Sequence, residues 1–119
     1  MKLSHDMPLV SAYTFFLTVD SSDPLFEKQR ENMNSESGEP QFTNFTNAFS
    51  GTLDYISYTA NRFMVKGLLE LLALEYVGNT ALPSPEWSSD HIALVADFLI
   101  RPSPHGGEEA NCPLTDRLL

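Results

Sequence analysis

The run from Ile92 to Ile100, IALVADFLI, is almost continuously apolar and is broken only by Asp97. A run of that length and character predicts a β-strand buried on both faces. It therefore constrains the fold to one in which both sides of its sheet are covered. The chain has 119 residues, enough for at most one domain. Hydrophobic residues make up 42%, including eight Phe, four Tyr and one Trp, which is sufficient for a core.

Four stretches differ in character. After a polar start, Leu9 to Val19 is apolar and rich in β-formers. Residues 20–40 are acidic and polar, with Pro24, Gly38 and Pro40, and predict a surface loop with one helical turn near Phe26–Arg30. Residues 41–100 are the dense part. Residues 102–119 carry Pro102, Pro104, Gly106, Gly107 and Pro113 and predict a flexible tail. Within the dense part, Thr52 to Thr59 predicts a strand. Leu53, Tyr55 and Ser57 face one way, and Asp54, Ile56 and Tyr58 the other. Phe63 to Leu74 predicts a strand running into a short helix that ends at Gly78. Leu82 to Asp90, punctuated by Pro83 and Pro85, predicts a loop.

The formal net charge is −9, with only seven Lys and Arg. That balance argues against a free-standing nucleic-acid binder, because phosphate contacts need clustered cations. The acid is uneven. Residues 20–39 hold six acids against two bases, whereas residues 40–101 hold six against three. Cys112 is the single cysteine, so no internal disulfide can form, which fits a reducing compartment. Lys2, His5, Asp6 and Pro8 leave no secretory apolar region near the start. No apolar run reaches the roughly 18 residues of a membrane span. Asn44-Phe45-Thr46 matches a glycosylation acceptor by chance.

Two motifs carry chemistry: Gly51-Thr52-Leu53-Asp54-Tyr55-Ile56 and Pro83-Ser84-Pro85-Glu86-Trp87-Ser88-Ser89-Asp90-His91. One carboxylate among apolar neighbours, one loop histidine and one further aspartate are parts of a phosphoryl-transfer site. Phosphodiester hydrolysis of this kind needs Mg²⁺ on carboxylates, an activated water, and a donor on the non-bridging oxygens where charge gathers. His91 suits the last role, and Asp54 is the candidate partner that would hold its tautomer or its proton. Asp90 could touch a metal directly or through water. The bland readings stand beside these. Asp and His in a polar loop are usually solvated. Phe49 reads equally as an edge aromatic or as a surface for base stacking. Asn44 reads as a turn former or as a sugar or phosphate contact. Asp54 is less bland, because a lone buried carboxylate costs several kcal/mol unless paired. Trp87 reads as a packing lid over its loop, His5 and His105 as surface residues, and Glu70 and Glu75 as a solvated face.

Phe42-Thr43-Asn44, then Phe49 to Ile56, then Ala81 to Leu94 resemble the C-terminal half of the carbon catabolite repressor 4-type poly(A) deadenylases. Those enzymes belong to the endonuclease/exonuclease/phosphatase (DNase I-like) superfamily. Lys2-Leu3-Ser4-His5 and Pro8 to Tyr13 are similar to the segment that precedes the family's acidic loop. The resemblance implies an α/β (α+β) fold, one half of a four-layered α/β sandwich with mixed sheets. It implies a partial domain over residues 1–101. The implied activity is Mg²⁺-dependent 3′–5′ removal of poly(A) with release of 5′-AMP. In that pattern His91 binds the scissile phosphate, Asp54 pairs with it, Asp90 assists metal binding, Phe49 stacks on adenine and Asn44 contacts substrate. Poly(A) RNA and the subunits of a deadenylase complex are the implied partners, with no membrane and no DNA. Cytoplasm and nucleus are the implied locations.

The family's metal-binding glutamate and its Gly-Asp-Phe-Asn loop have no counterpart here. The expectation is therefore a chain inactive by itself. The alternative is a non-catalytic interaction module that pairs with, or competes with, a full deadenylase.

Overall fold

A computed structural model describes residues 2–102 and the backbone of 117–118. Most of the tail expected over 102–119 lies outside the described residues. The architecture is mixed α/β. In chain order it runs β1 (Leu9–Ser11), α1 (Phe15–Thr18), α2 (Pro24–Glu31), β2 (Asn44–Phe45), β3 (Ser50–Gly51), β4 (Ser57–Thr59), β5 (Phe63–Leu68), α3 (Leu74–Val77), β6 (Ala96–Ile100) and β7 (Arg117–Leu118).

The Leu9 to Val19 run divides into a short strand and one helical turn rather than staying extended. The reason is tertiary. Phe16 is fully buried, and the Arg30 guanidinium donates to the carbonyls of Phe16, Val19 and Ser21 at 2.8–2.9 Å. The bond to Phe16 satisfies a carbonyl that a single turn leaves without a partner, and those to Val19 and Ser21 tie down the chain that leaves it. The helix α2 is longer than the turn expected at Phe26–Arg30. Asp23 caps it by accepting from Leu25 N, Pro24 sits at its first position, and Lys28 and Arg30 lie in its last turn. It buries Phe26 and Gln29, and Gln29 Oε1 accepts from Leu71 N at 2.8 Å.

Strand β1 pairs antiparallel with β4, with Leu9 opposite Thr59 and Ser11 opposite Ser57. The pairing extends one step further through Ala12 N to Ile56 O at 2.8 Å. Strand β5 lies between β6, antiparallel, and β7, parallel. Its register with β6 shifts between Val65 and Gly67, a bulge of the kind that bends a strand. The run from Ile92 to Ile100 is a strand only from Ala96, and it is not buried on both faces as expected: Ala96 to Leu99 are half-buried, and Val95 and Ile100 are exposed. The strand-to-helix reading of Phe63 to Gly78 holds in part: β5 spans Phe63–Leu68 and a helix does end at Gly78, but residues 69–73 are not helical, α3 is the single turn Leu74–Val77, and Gly78 stays right-handed (φ −59°).

Two apolar clusters form the core. The larger joins Ala12, Tyr13, Phe16, Phe26, Val65, Leu68 and Leu71, with Ile56, Ile92 and Phe98 packed on it. Tyr13 meets Phe16, and Phe16 meets Phe26, edge to face. Full burial of side chains of this size stabilises by about 1.5–3 kcal/mol each. The smaller cluster joins Phe42, Val77 and Leu82, and Ile92 packs on this one as well. Among the described residues no helix is long and apolar enough to cross a membrane.

Candidate functional site

Residues 43–45 form a central spine. On one side β2 pairs with β3, with Asn44 opposite Gly51. On the other side residues 90–92 run antiparallel. Asn44 bridges His91, Phe45 N donates to Asp90 O, and Ile92 N donates to Thr43 O. The two chemical motifs thus meet across one short segment. Ile92 is held by both apolar clusters. Successive residues of an extended chain point to opposite sides, so His91 is turned away from the core.

Asp54 arrives differently. Residues 52–56 make no ladder, so the strand expected from Thr52 begins only at Ser57. The amides of Leu53 and Asp54 instead donate to the Thr43 hydroxyl at 2.8 and 3.0 Å. Thr43 is fully buried. The alternation persists without the ladder. Leu53, Tyr55 and Ser57 are exposed, while Asp54, Ile56 and Tyr58 are half-buried. This orientation brings Asp54 Oδ2 to 2.6 Å from His91 Nδ1, with each side chain about two-fifths exposed (44% and 40%).

The pair perturbs both groups. The hydrogen bond from His91 holds the Asp54 carboxyl below its ordinary value, a bond from Thr43 adds to this, and partial burial opposes it. The bond to Asp54 raises the His91 imidazole above its ordinary value, and the charges of Asp54 and Asp90 add to it. With Nδ1 committed to Asp54, Nε2 is the ring nitrogen left for other chemistry. A protonated imidazole held in this way can donate to an anionic oxygen.

Asn44 is buried, and its Nδ2 donates to both the main-chain carbonyl and the carboxylate of Asp90, each at 3.2 Å. The structure therefore brings together Asp54 with His91 and Asn44 with Asp90. Phe49 stands apart at the tip of the β2–β3 hairpin. There Thr46 Oγ1 accepts from Phe49 N, and the half-exposed ring lies over Gly51. A Cβ at Gly51 would lie 2.8 Å from Phe49 Cζ, so the absent side chain makes room for the ring. Thr43 was given no role from sequence, because nothing local marks a threonine whose hydroxyl organises a segment ten residues away.

Among the described residues no group of three or more His, Cys, Asp or Glu side chains is placed to hold a metal ion. Mg²⁺ takes six oxygen ligands in near-ideal octahedral geometry. Asp90 offers one carboxylate, already bonded to Asn44, so these residues do not assemble a shell for the ion.

No family model matches the chain, and no solved structure matches it. Curated proteins do. Carbon catabolite repressor protein 4 homolog 1 of Arabidopsis thaliana is 54% identical over 102 residues, which is 85% of this chain and 17% of that protein. Homolog 2 of the same plant is 49% identical over 107 residues, 89% of this chain and 18% of that protein. A Schizosaccharomyces pombe protein named as a CCR4-Not complex 3′-5′-exoribonuclease subunit is 39% identical over 74 residues, 59% of this chain and 11% of that protein. Mouse nocturnin is 41% identical over 71 residues, 56% of this chain and 17% of that protein. The chain spans less than a fifth of the length of these relatives. With more than half of its aligned residues identical to the first of them, the chain belongs to the carbon catabolite repressor 4-type family and corresponds to one segment of it.

Proposed function

We propose that this segment is the phosphate-handling part of a poly(A)-specific 3′–5′ exoribonuclease site. The observation that carries the reading is the 2.6 Å contact between Asp54 and His91, set on a buried Thr43 beside the Asn44–Asp90 pair. In this reading His91 donates to a non-bridging oxygen of the scissile phosphate, and Asp54 holds the ring and its proton. Asp90 would assist in holding a metal, buried Asn44 serves by fixing Asp90 and not by the substrate contact expected from sequence, and the exposed Phe49 ring stacks on adenine. The name of the fission-yeast relative, a CCR4-Not complex 3′-5′-exoribonuclease subunit, supports exoribonuclease chemistry and membership of such a complex. Cytoplasm and nucleus are our own proposal for where it acts.

The reading implies Mg²⁺, which would supply Lewis-acid stabilisation and an activated water. The described residues do not build its shell, so we assign the remaining ligands to another polypeptide segment. We likewise place residues 1–101 within one half of a four-layered α/β sandwich. Acting by itself, the chain is an inactive module that pairs with a complementary segment or competes with the full enzyme.

The test is a transplant. Residues 2–101 replace the matching segment of the Arabidopsis homolog 1, and 5′-AMP release from oligo(A) is followed with Mg²⁺. Retained trimming that His91→Ala abolishes is the expected result. A folded transplant that leaves oligo(A) intact would sink the proposal. Efficient trimming by the isolated 119-residue chain would sink the inactive-module part alone.

A further inference from the structure

Residues 69–73 and the loop 86–93 face each other across a groove of about 500 Å³. Leu72, Tyr76, Trp87, Glu70, Glu86 and His91 line it. Tyr76 is 55% exposed and Trp87 36%, so two aromatic side chains stand open to solvent on the rim of one concave surface. Among the described residues the lining carries two carboxylates and no Lys or Arg. Among the described residues of the lining, the one group able to gain positive charge is His91, whose Nδ1 is already turned to Asp54.

This chemistry selects its occupant. A guanidinium stacks on the faces of Trp and Tyr and forms paired hydrogen bonds with a carboxylate, and one groove here offers both kinds of partner. The apolar wall at Leu72 suits an aliphatic neighbour of the arginine. A phosphate chain would bring its own negative charge against Glu70 and Glu86. The volume lies within the ordinary range for clefts that hold a few side chains. We propose that the groove docks a segment of a partner protein carrying arginine among aliphatic residues. Once seated, that segment stands against His91 and covers one side of the Asp54–His91 pair. The same surface thereby recruits a partner and controls access to the site.

Trp87 is the only tryptophan in the chain, so its fluorescence reads the groove directly. The probe is a five-residue capped peptide alternating leucine and arginine, titrated into the full 119-residue chain. A second peptide carries citrulline, which keeps the shape of arginine and loses its charge. The expected result is a saturable change in Trp87 emission with the arginine peptide. The citrulline peptide and the Glu70→Gln/Glu86→Gln variant should each weaken binding by about tenfold, the scale of one ring stack plus one paired carboxylate. Glu27→Gln/Glu31→Gln, which removes the same charge from α2, should leave binding unchanged. The proposal is overturned by no saturable response to the arginine peptide, by equal binding of the citrulline peptide, or by equal losses in the two double variants. A tighter response to oligo(A) than to the peptide also overturns it and makes the groove an RNA surface.

Discussion

Asp54 Oδ2 and His91 Nδ1 lie 2.6 Å apart although 37 residues separate them in the chain. Neither residue reaches the other by local structure. Thr43 joins them, because its hydroxyl accepts the amides of Leu53 and Asp54 while its carbonyl accepts Ile92 N.

The pair has a definite pH signature. The folded value of His91 is raised above 6.5, so its contribution to stability is complete below 6.5 and is lost as pH rises through the raised value. The folded value of Asp54 is lowered below 3.8, so its contribution is complete above 3.8 and is lost as pH falls through the depressed value. Both are present together between 3.8 and 6.5. Asp54→Asn should return the His91 titration, followed by its ring proton shifts, toward 6.5. It should also flatten the decline in urea midpoint above that pH. An unchanged His91 titration would break the coupling argued here.

Thr43→Val removes a buried hydroxyl and leaves the amides of Leu53 and Asp54 without their acceptor. An unsatisfied buried group costs about 1–3 kcal/mol, so two part-buried amides set an upper range of roughly 2–6 kcal/mol for the loss seen in urea unfolding. Thr43→Ser keeps the hydroxyl and should recover most of it. A loss in Thr43→Ser with none in Thr43→Val would mean that Thr43 acts through its methyl group and not through the bonds described.

The Tyr13 hydroxyl donates to Leu69 O at 3.1 Å and accepts from Val95 N at 3.2 Å. Burial pushes its phenol up, so it stays neutral. Tyr13→Phe fits the same space but strands a carbonyl and an amide. We expect a loss of about 1–3 kcal/mol with far-ultraviolet dichroism unchanged. A neutral result would show that water replaces the hydroxyl there.

Phe49 is half exposed, so Phe49→Ala should leave the thermal midpoint nearly unchanged. In the transplanted enzyme it should weaken oligo(A) binding by about 1–3 kcal/mol, the range for one stacked base. Gly51→Ala would drive the ring from its place and should weaken binding in the same direction. Full oligo(A) affinity in both variants would remove Phe49 from the substrate surface.

The alternation of apolar and polar residues made Asp54 legible as a carboxylate turned toward Ile56 and Tyr58. It misplaced the start of that strand. Alternation reports which face a side chain takes, but not whether the amides beside it bond to another strand or to a threonine hydroxyl. The turn at Phe15–Thr18 was illegible for a related reason. Its residues favour strands, and the bonds that hold the turn come from Arg30, eleven to fourteen residues away from two of the carbonyls it binds.

By itself the sequence determined the chemical inventory: Asp54, Asp90 and His91 in two recognisable motifs, a chain poor in cations, and the apolar runs that became β5 and the flank of β6. Tertiary structure alone decided which of those groups meet. It joined Asp54 to His91 and Asn44 to Asp90 through buried Thr43, and it opened a groove walled by Trp87 and Tyr76. The physical reason is range. Side-chain periodicity is a property of a few consecutive residues, whereas a 2.6 Å contact across 37 residues exists only once the core around Ile92 has packed.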